Sequence, residues 1–207
     1  NKNQIIVGCG FSELMEIMVR ILKKIDINSF GIENPGYHIA KNVFENYGFE
    51  INKIPLDNDG IKVEELEKTD SKVVYLTPSH QYPTGVTIPI SNRYKLLNWA
   101  KENDSFIIED DYDTELNYVN RPIPSLQGLD TQNRVIYIGT FSKSLCASLR
   151  VGYMVLPNSL MDIYYKFENK HSTVSIMTQK ILEKFMSEGH WEKHLRKIRT
   201  INSKKQA

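Results

Sequence analysis

The chain has 207 residues, 26 Lys+Arg against 25 Asp+Glu for a formal charge of +1, with 41% hydrophobic and 25% charged residues. That length suits one large domain or two small ones at the usual size of about 100–200 residues. The balanced, ordinary composition excludes a disordered chain, a collagen and a free-standing basic nucleic-acid-binding domain.

Residues 5–7 (Ile-Ile-Val) predict a short buried strand, broken by Gly8-Cys9-Gly10 before Ser12, a good N-cap. Leu14, Met18, Ile21, Leu22 and Ile25 then recur at helical spacing, with Glu13 in the first turn and Lys23-Lys24 in the last, as the helix dipole favours. A second strand is expected at Phe30-Gly31-Ile32, a break at Pro35-Gly36, and a helix carrying Tyr37, Ala40, Phe44 and Tyr47 that Gly48 closes. Residues 49–54 read as a strand, Asp57-Asn58-Asp59-Gly60 as a turn and 63–68 as a short helix. A strand at 73–76 leads into the proline-rich loop 78–89, after which Ser91 caps a helix carrying Leu96, Leu97 and Ala100. Strands at 106–108 and 135–138 empty into Glu109-Asp110-Asp111-Tyr112-Asp113 and Gly139-Thr140-Phe141-Ser142-Lys143. One more strand is expected at 150–156, and helix from Asn158 onward. Strands alternating with helices predict an α/β domain with a mostly parallel sheet, whose ligands sit beyond the carboxyl ends of the strands, where the polar clusters fall.

Apolar runs fall far short of the roughly 18–20 residues needed to span a bilayer, and no charged-then-apolar leader opens the chain, so a soluble cytoplasmic protein is expected. Cys9 and Cys146 are too few and too far apart for a disulfide framework or a Cys-x-x-Cys site and read as reduced thiols. The chain opens on Asn1, and residues 195–207 read as a helix in mid-course, which suggests a piece of a longer protein.

Several groups could carry chemistry. The glycine turn at residues 8–12 sits between a strand and a helix N-terminus and could cradle a phosphate, although without the rest of a phosphate-loop or dinucleotide motif it reads equally as a tight turn. Lys143 follows a buried strand, with hydroxyls at Thr140 and Ser142 and a cation at Arg150. It is either a solvated loop lysine or an amine whose pKa is lowered by a neighbouring cation and desolvation, as Schiff-base chemistry requires. Arg150 suits a bidentate phosphate contact. Asp110 and Tyr112 follow a strand apolar enough to be buried on both faces; Glu109, Asp111 and Asp113 read as a solvated acidic loop, and any one acid pointing into a cleft needs a cation such as a protonated heterocyclic nitrogen. His190-x-x-x-His194 has zinc-ligand spacing but Trp191 stands where the catalytic Glu belongs, which rejects a metalloprotease site and leaves no metal expected. His80 reads as a hydrogen-bonded structural residue, and Lys193, Arg196, Lys197, Arg199, Lys204 and Lys205 as a solvated basic face.

Taken together, Glu33-Asn34-Pro35-Gly36-Tyr37, Thr77-Pro78-Ser79-His80-Gln81-Tyr82-Pro83-Thr84-Gly85, Ile108-Glu109-Asp110-Asp111-Tyr112-Asp113 and Gly139-Thr140-Phe141-Ser142-Lys143-Ser144-Leu145 closely resemble one family. They are similar to the aminotransferase-like domain of the MocR (GabR-like) branch of GntR transcriptional regulators, related to class I/II aminotransferases of fold type I, which use pyridoxal 5'-phosphate (PLP). The resemblance implies the fold type I large domain, a mostly parallel mixed sheet flanked by helices. It makes Lys143 the internal-aldimine lysine, Asp110 the partner of the pyridinium nitrogen and Tyr112 the donor to the phenolate oxygen. Tyr37 would stack on or flank the ring, and Arg150, Thr140, Ser142 and Gly10-Phe11-Ser12 would hold the phosphate. Two positions depart from the pattern. Tyr82-Pro83-Thr84-Gly85 stands where aminotransferases have Asn-Pro-x-Gly, which removes an Asn contact to the cofactor, and Cys9-Gly10-Phe11-Ser12 stands where the branch commonly has Ser-Gly-x-Gln.

The resemblance further implies a PLP-binding large domain over residues 1–190 and, over 191–207, the start of a helix leading to a small C-terminal domain. That small domain, which would hold the substrate-carboxylate arginine, and an N-terminal winged-helix DNA-binding domain would both lie outside this chain. The expected function is the PLP- and effector-binding core of a regulator, forming an external aldimine with a small amino compound, homodimeric, and contacting DNA only through the winged-helix domain. The alternative is a free-standing class I/II aminotransferase acting on an amino acid, since transaminase activity is left open.

Overall fold

The computed structural model describes residues 2–116, 123–167 and 173–206. In chain order, β1 (Ile5–Gly8) leads into α1 (Gly10–Lys24), and β2 (Ser29–Asn34) into α2 (His38–Asn46). A hairpin of β3 (Glu50–Asp57) and β4 (Gly60–Ile61) and the short α3 (Val63–Leu66) follow, then β5 (Val73–Leu76) and α4 (Ile90–Glu102). Next come β6 (Phe106–Asp111), α5 (Leu126–Leu129), β7 (Val135–Thr140), β8 (Gly152–Val155), α6 (Asn158–Tyr164), α7 (Ile176–Ser187) and α8 (His190–Gln206).

The eight strands form one sheet in the order β1-β8-β7-β6-β5-β2-β3-β4. The central β3, β2, β5, β6 and β7 run parallel, registered so that Ile32 lies opposite Tyr75, Tyr75 opposite Ile108 and Ile108 opposite Ile136. β8 pairs antiparallel with both β7 and β1, and β4 antiparallel with β3. The carboxyl ends of β2, β5, β6 and β7 therefore share one edge, which gathers Glu33, Thr77, Asp110 and Thr140.

Both faces of the parallel strands are apolar because helices cover both. Alternate residues sort between them: Tyr75, Ile108, Ile136 and Ile138 pack with Leu14, Met18 and Leu22 of α1 and with Phe44 of α2. Val74, Leu76, Ile107 and Val135 pack instead with Leu96 and Trp99 of α4 and Leu126 of α5. Each fully buried Leu, Met or Ile contributes roughly 1.5–3 kcal/mol. A third cluster joins Val151, Val174 and Leu182 beneath Phe141 and Leu145.

The α/β architecture agrees with the sequence reading; several boundaries differ for local reasons. α1 begins at Gly10, so Ser12 lies exposed in its first turn and caps nothing, and the Cys9 N–H donates to the Glu13 carboxylate instead. α4 begins at Ile90, directly after Pro89, which puts Ser91 inside the helix. β6 extends through Asp111 because its ladder continues, with Glu109 opposite Leu76 and Asp111 opposite Gly139. Glu109, Asp110 and Asp111 are thus buried strand residues, a correction to the solvated loop expected for the first and last. β8 starts only at Gly152, since Arg150 takes a left-handed backbone (φ 50°) that no strand accommodates. Part of the helix expected from Asn158 onward lies outside the described residues; in the rest, Gly189 (φ 73°) separates α7 from α8. No helix among the described residues is long and apolar enough to cross a membrane.

Candidate functional site

At the shared carboxyl edge lies a cavity of about 320 Å³ lined by Phe11, Tyr37, Thr77, Tyr82, Asp110, Tyr112, Ile138, Gly139, Thr140, Ser142, Lys143 and Arg150. Eight of the ten residues singled out from the sequence stand in this wall: Phe11, Tyr37, Asp110, Tyr112, Thr140, Ser142, Lys143 and Arg150. Gly10 and Ser12 do not. Gly10 backs the wall, because a Cβ built on it would lie 2.8 Å from Arg150 Nη2. Ser12 faces solvent one position into α1.

Asp110 is the cavity's buried acid, 7% exposed. Its place follows from period-two alternation in β6: Ile108 and Asp110 point to the α1 face, Glu109 and Asp111 to the other. The Tyr75 hydroxyl donates to Asp110 Oδ2. Burial, above all, pushes Asp110 up to about 7; the Tyr75 hydrogen bond pulls it down, and Asp111 and Asp113 push it further up. Among the described residues no cation offsets that burial. Tyr75 is itself raised well above its ordinary value by burial and then by Asp110, so its proton stays on the phenol.

A second buried acid supports the neighbouring loop. Glu33, at the end of β2, accepts from the Thr77 N–H and Thr77 Oγ1, each at 3.1 Å, and from Gln81 Nε2 at 3.3 Å. Its Oε1 is buried without a hydrogen-bond partner, and burial raises the carboxyl to about 7. Thr77 Oγ1 in turn accepts from the Tyr82 N–H at 3.0 Å, which fixes Thr77 and Tyr82 in the cavity wall. Tyr82, Tyr37 and Phe11 form an edge-to-face aromatic run, with ring centroids 5.6 Å and 5.5 Å apart.

Behind the sheet, Arg93 of α4 is fully buried. It donates to the carbonyls of Ile88, Pro78 and Pro124 at 2.9–3.1 Å and stands 3.7 Å from Glu109. Glu109 also accepts the Leu126 and Gln127 amides, yet burial still holds it near 7.

At the other end of the cavity, Thr140 Oγ1 accepts the Ser142 N–H at 3.1 Å, and Lys143 and Arg150 are exposed at the rim. The desolvation that a depressed amine requires is therefore not supplied to Lys143 by burial in the chain. The Tyr112 hydroxyl donates to the His80 carbonyl at 2.8 Å, and a phenol has one proton to give. His80 is the hydrogen-bonded structural residue expected, its Nδ1 2.7 Å from Asp113 Oδ2.

The remaining motifs resolve as structure. His194 bonds the Ser144 carbonyl while His190 stands 3.3 Å from Glu188, and no metal-binding cluster occurs among the described residues. Arg199 is a correction to the solvated basic face: its Nε donates to the Glu115 carbonyl at 2.7 Å. Sequence reasoning did not single out Tyr75, Thr77, Ile138 and Gly139. Thr77 was the findable one, as the first polar residue beyond the apolar run of β5.

This fold and cavity have close relatives. The chain matches the aminotransferase class I and II family over residues 1–205, and it belongs to that family. It is 44% identical over 205 residues to YdeL, an uncharacterized HTH-type transcriptional regulator of Bacillus subtilis, covering 99% of this chain and 44% of that protein. It is 36% identical to MocR of Rhizobium meliloti, a probable rhizopine catabolism regulatory protein, over 98% of this chain and 41% of that one. The crystal structure of Pyrococcus horikoshii kynurenine aminotransferase, in complex with PMP, matches with a TM-score of 0.85 and 31% identity, covering 95% of this chain and 51% of that one. The chain thus spans less than half the length of these two regulators.

Proposed function

We propose that the cavity is a pyridoxal 5'-phosphate site and that the chain is the cofactor- and effector-binding core of a GntR/MocR-type transcriptional regulator. Asp110 carries the reading: a buried carboxyl without a described cationic partner, in the same cavity wall as an exposed amine and a guanidinium. The residues present fit the group. A protonated ring nitrogen would supply the positive charge that Asp110 lacks. The recess behind Arg150, where a Cβ at Gly10 does not fit, combines a guanidinium with the Thr140 and Ser142 hydroxyls, a donor set suited to phosphate. Tyr37 and Phe11 offer an aromatic wall of matching character.

When bound, PLP supplies an electron sink conjugated to a carbon that amines attack. The protein's own share is orientation and charge. Tyr75 donates to one Asp110 oxygen and leaves the other free to hold a proton on a ring nitrogen. Arg150, Thr140 and Ser142 anchor the opposite, anionic end. Lys143, at the rim, is the amine placed to bond the aldehyde carbon and, once displaced by an incoming amine, to carry a proton. Tyr112 joins this set only by turning its hydroxyl away from the His80 carbonyl.

The regulator reading is supported by relatives described as HTH-type or regulatory proteins that match nearly all of this chain. In it, residues 1–190 form the large domain, 191–207 begin the helix toward a small domain, and a winged-helix domain contacts DNA. A small amino compound shifts a conformational equilibrium of a homodimer in the cytoplasm. Band shifts of the full-length protein on its own promoter test this: an amino compound should change DNA affinity in the wild type and not in Lys143→Ala. An amino-compound response that survives Lys143→Ala would overturn it. The 31% identical kynurenine aminotransferase favours transamination as a second reading, tested by steady-state turnover with amino and keto acids.

A further inference from the structure

The turn that carries Lys143 is held from outside the sheet. Residues 141–145 fold back on themselves through the Leu145 N–H, which donates to the Phe141 carbonyl at 2.9 Å, and are tied to β8 by the Phe141 N–H, which donates to the Val151 carbonyl at 3.1 Å. Ser144, the residue after Lys143, is fully buried, so its carbonyl needs a donor. That donor is His194 of α8, whose Nε2 lies 2.8 Å from Ser144 O. Because a carbonyl only accepts, the ring carries its proton on Nε2.

One turn earlier in α8, Trp191 packs edge-on against Phe141 at 5.5 Å and stacks on the His194 ring at 6.4 Å. One turn later, Leu195 is buried, and Arg199 donates to the carbonyl of Glu115 in the turn leaving β6, the strand of Asp110. Residues 191, 194, 195 and 199 share one helical face. That face grips the exits of both strands that feed the cavity.

We propose that His194 is a positioning residue for Lys143: its hydrogen bond to the Ser144 carbonyl fixes the lysine-bearing turn and makes that turn and α8 move as one piece. This rests on the reading of Lys143 as the cavity's reactive amine. It explains why a histidine occupies the middle of an otherwise apolar contact face, where packing alone would be met by Leu or Phe.

The test compares His194→Phe, which keeps the ring and removes the donor, with His194→Gln, whose side-chain amide restores it, in the full-length protein. Amide hydrogen exchange without added cofactor should show the Leu145 amide opening roughly tenfold faster in the Phe variant, as expected for loss of one such bond, with Ile138 of β7 unchanged and the Gln variant near wild type. PLP titration followed by absorbance should weaken several-fold in the Phe variant and recover in the Gln variant. Wild-type exchange at Leu145 in the Phe variant would overturn the proposal, as would a Gln variant as damaged as the Phe variant. Should the wild type take up no PLP on Lys143, the cofactor reading fails while the exchange comparison still decides whether His194 holds the turn.

Discussion

Asp110, Glu33 and Glu109 share a property unusual for carboxylates: burial holds each near 7 instead of the ordinary range around 4. Between those values the folded chain binds more protons than the unfolded chain. The stability these groups contribute is therefore full in acid and is lost as pH rises through about 7. The cofactor-free protein should melt at a higher temperature near pH 5.5 than near pH 8, and Asp110→Asn should flatten part of that slope; a melting temperature that rises over the same interval would contradict the burial argument. A cation bound against Asp110 pulls its pKa down, so saturating PLP should also shrink the slope. Arg93 sets a different kind of limit. Arg93→Met removes the donor to three carbonyls and the cation beside Glu109, and denaturant unfolding should register a loss of roughly 3–5 kcal/mol.

At the scale of elements, the β1–α1 turn carries a specific expectation. Gly10 and Gly48 both have left-handed backbones, φ 76° and 72°, but a Cβ at Gly48 meets nothing within 4 Å, whereas one at Gly10 meets the Arg150 guanidinium. Gly48→Ala should cost only about 1 kcal/mol of backbone strain and leave PLP affinity unchanged. Gly10→Ala should carry the same strain and weaken PLP at least about tenfold by displacing Arg150. Equal affinities for the two variants would remove Gly10 from the phosphate recess. The strand–helix alternation was legible because apolar runs and Gly or Pro breaks are local signals, and the site residues gathered where such sheets bind ligands. Helix starts at Gly10 and Ile90 were misread because Ser12 and Ser91 are good caps by type, while the actual cap of α1 is a main-chain bond to Glu13. Burial of Glu109 and Asp111 was illegible from composition. It depends on Arg93, sixteen residues earlier, and on the Tyr137 hydroxyl at 2.8 Å across the sheet.

For the whole molecule, the near-zero net charge describes only this large α/β core and bears no relation to DNA contacts made elsewhere in a longer protein. The motifs resembling the MocR branch lie hundreds of atoms apart along the chain, yet parallel register brings them to one edge, and that convergence is what a pattern of short motifs cannot display by itself. The central claim is that this edge binds PLP through Lys143. Its most direct test is borohydride trapping of the full-length protein with PLP, followed by peptide mapping. The account expects one pyridoxyl adduct, on Lys143, absent in Lys143→Ala; no adduct, or an adduct confined to another lysine, would contradict it.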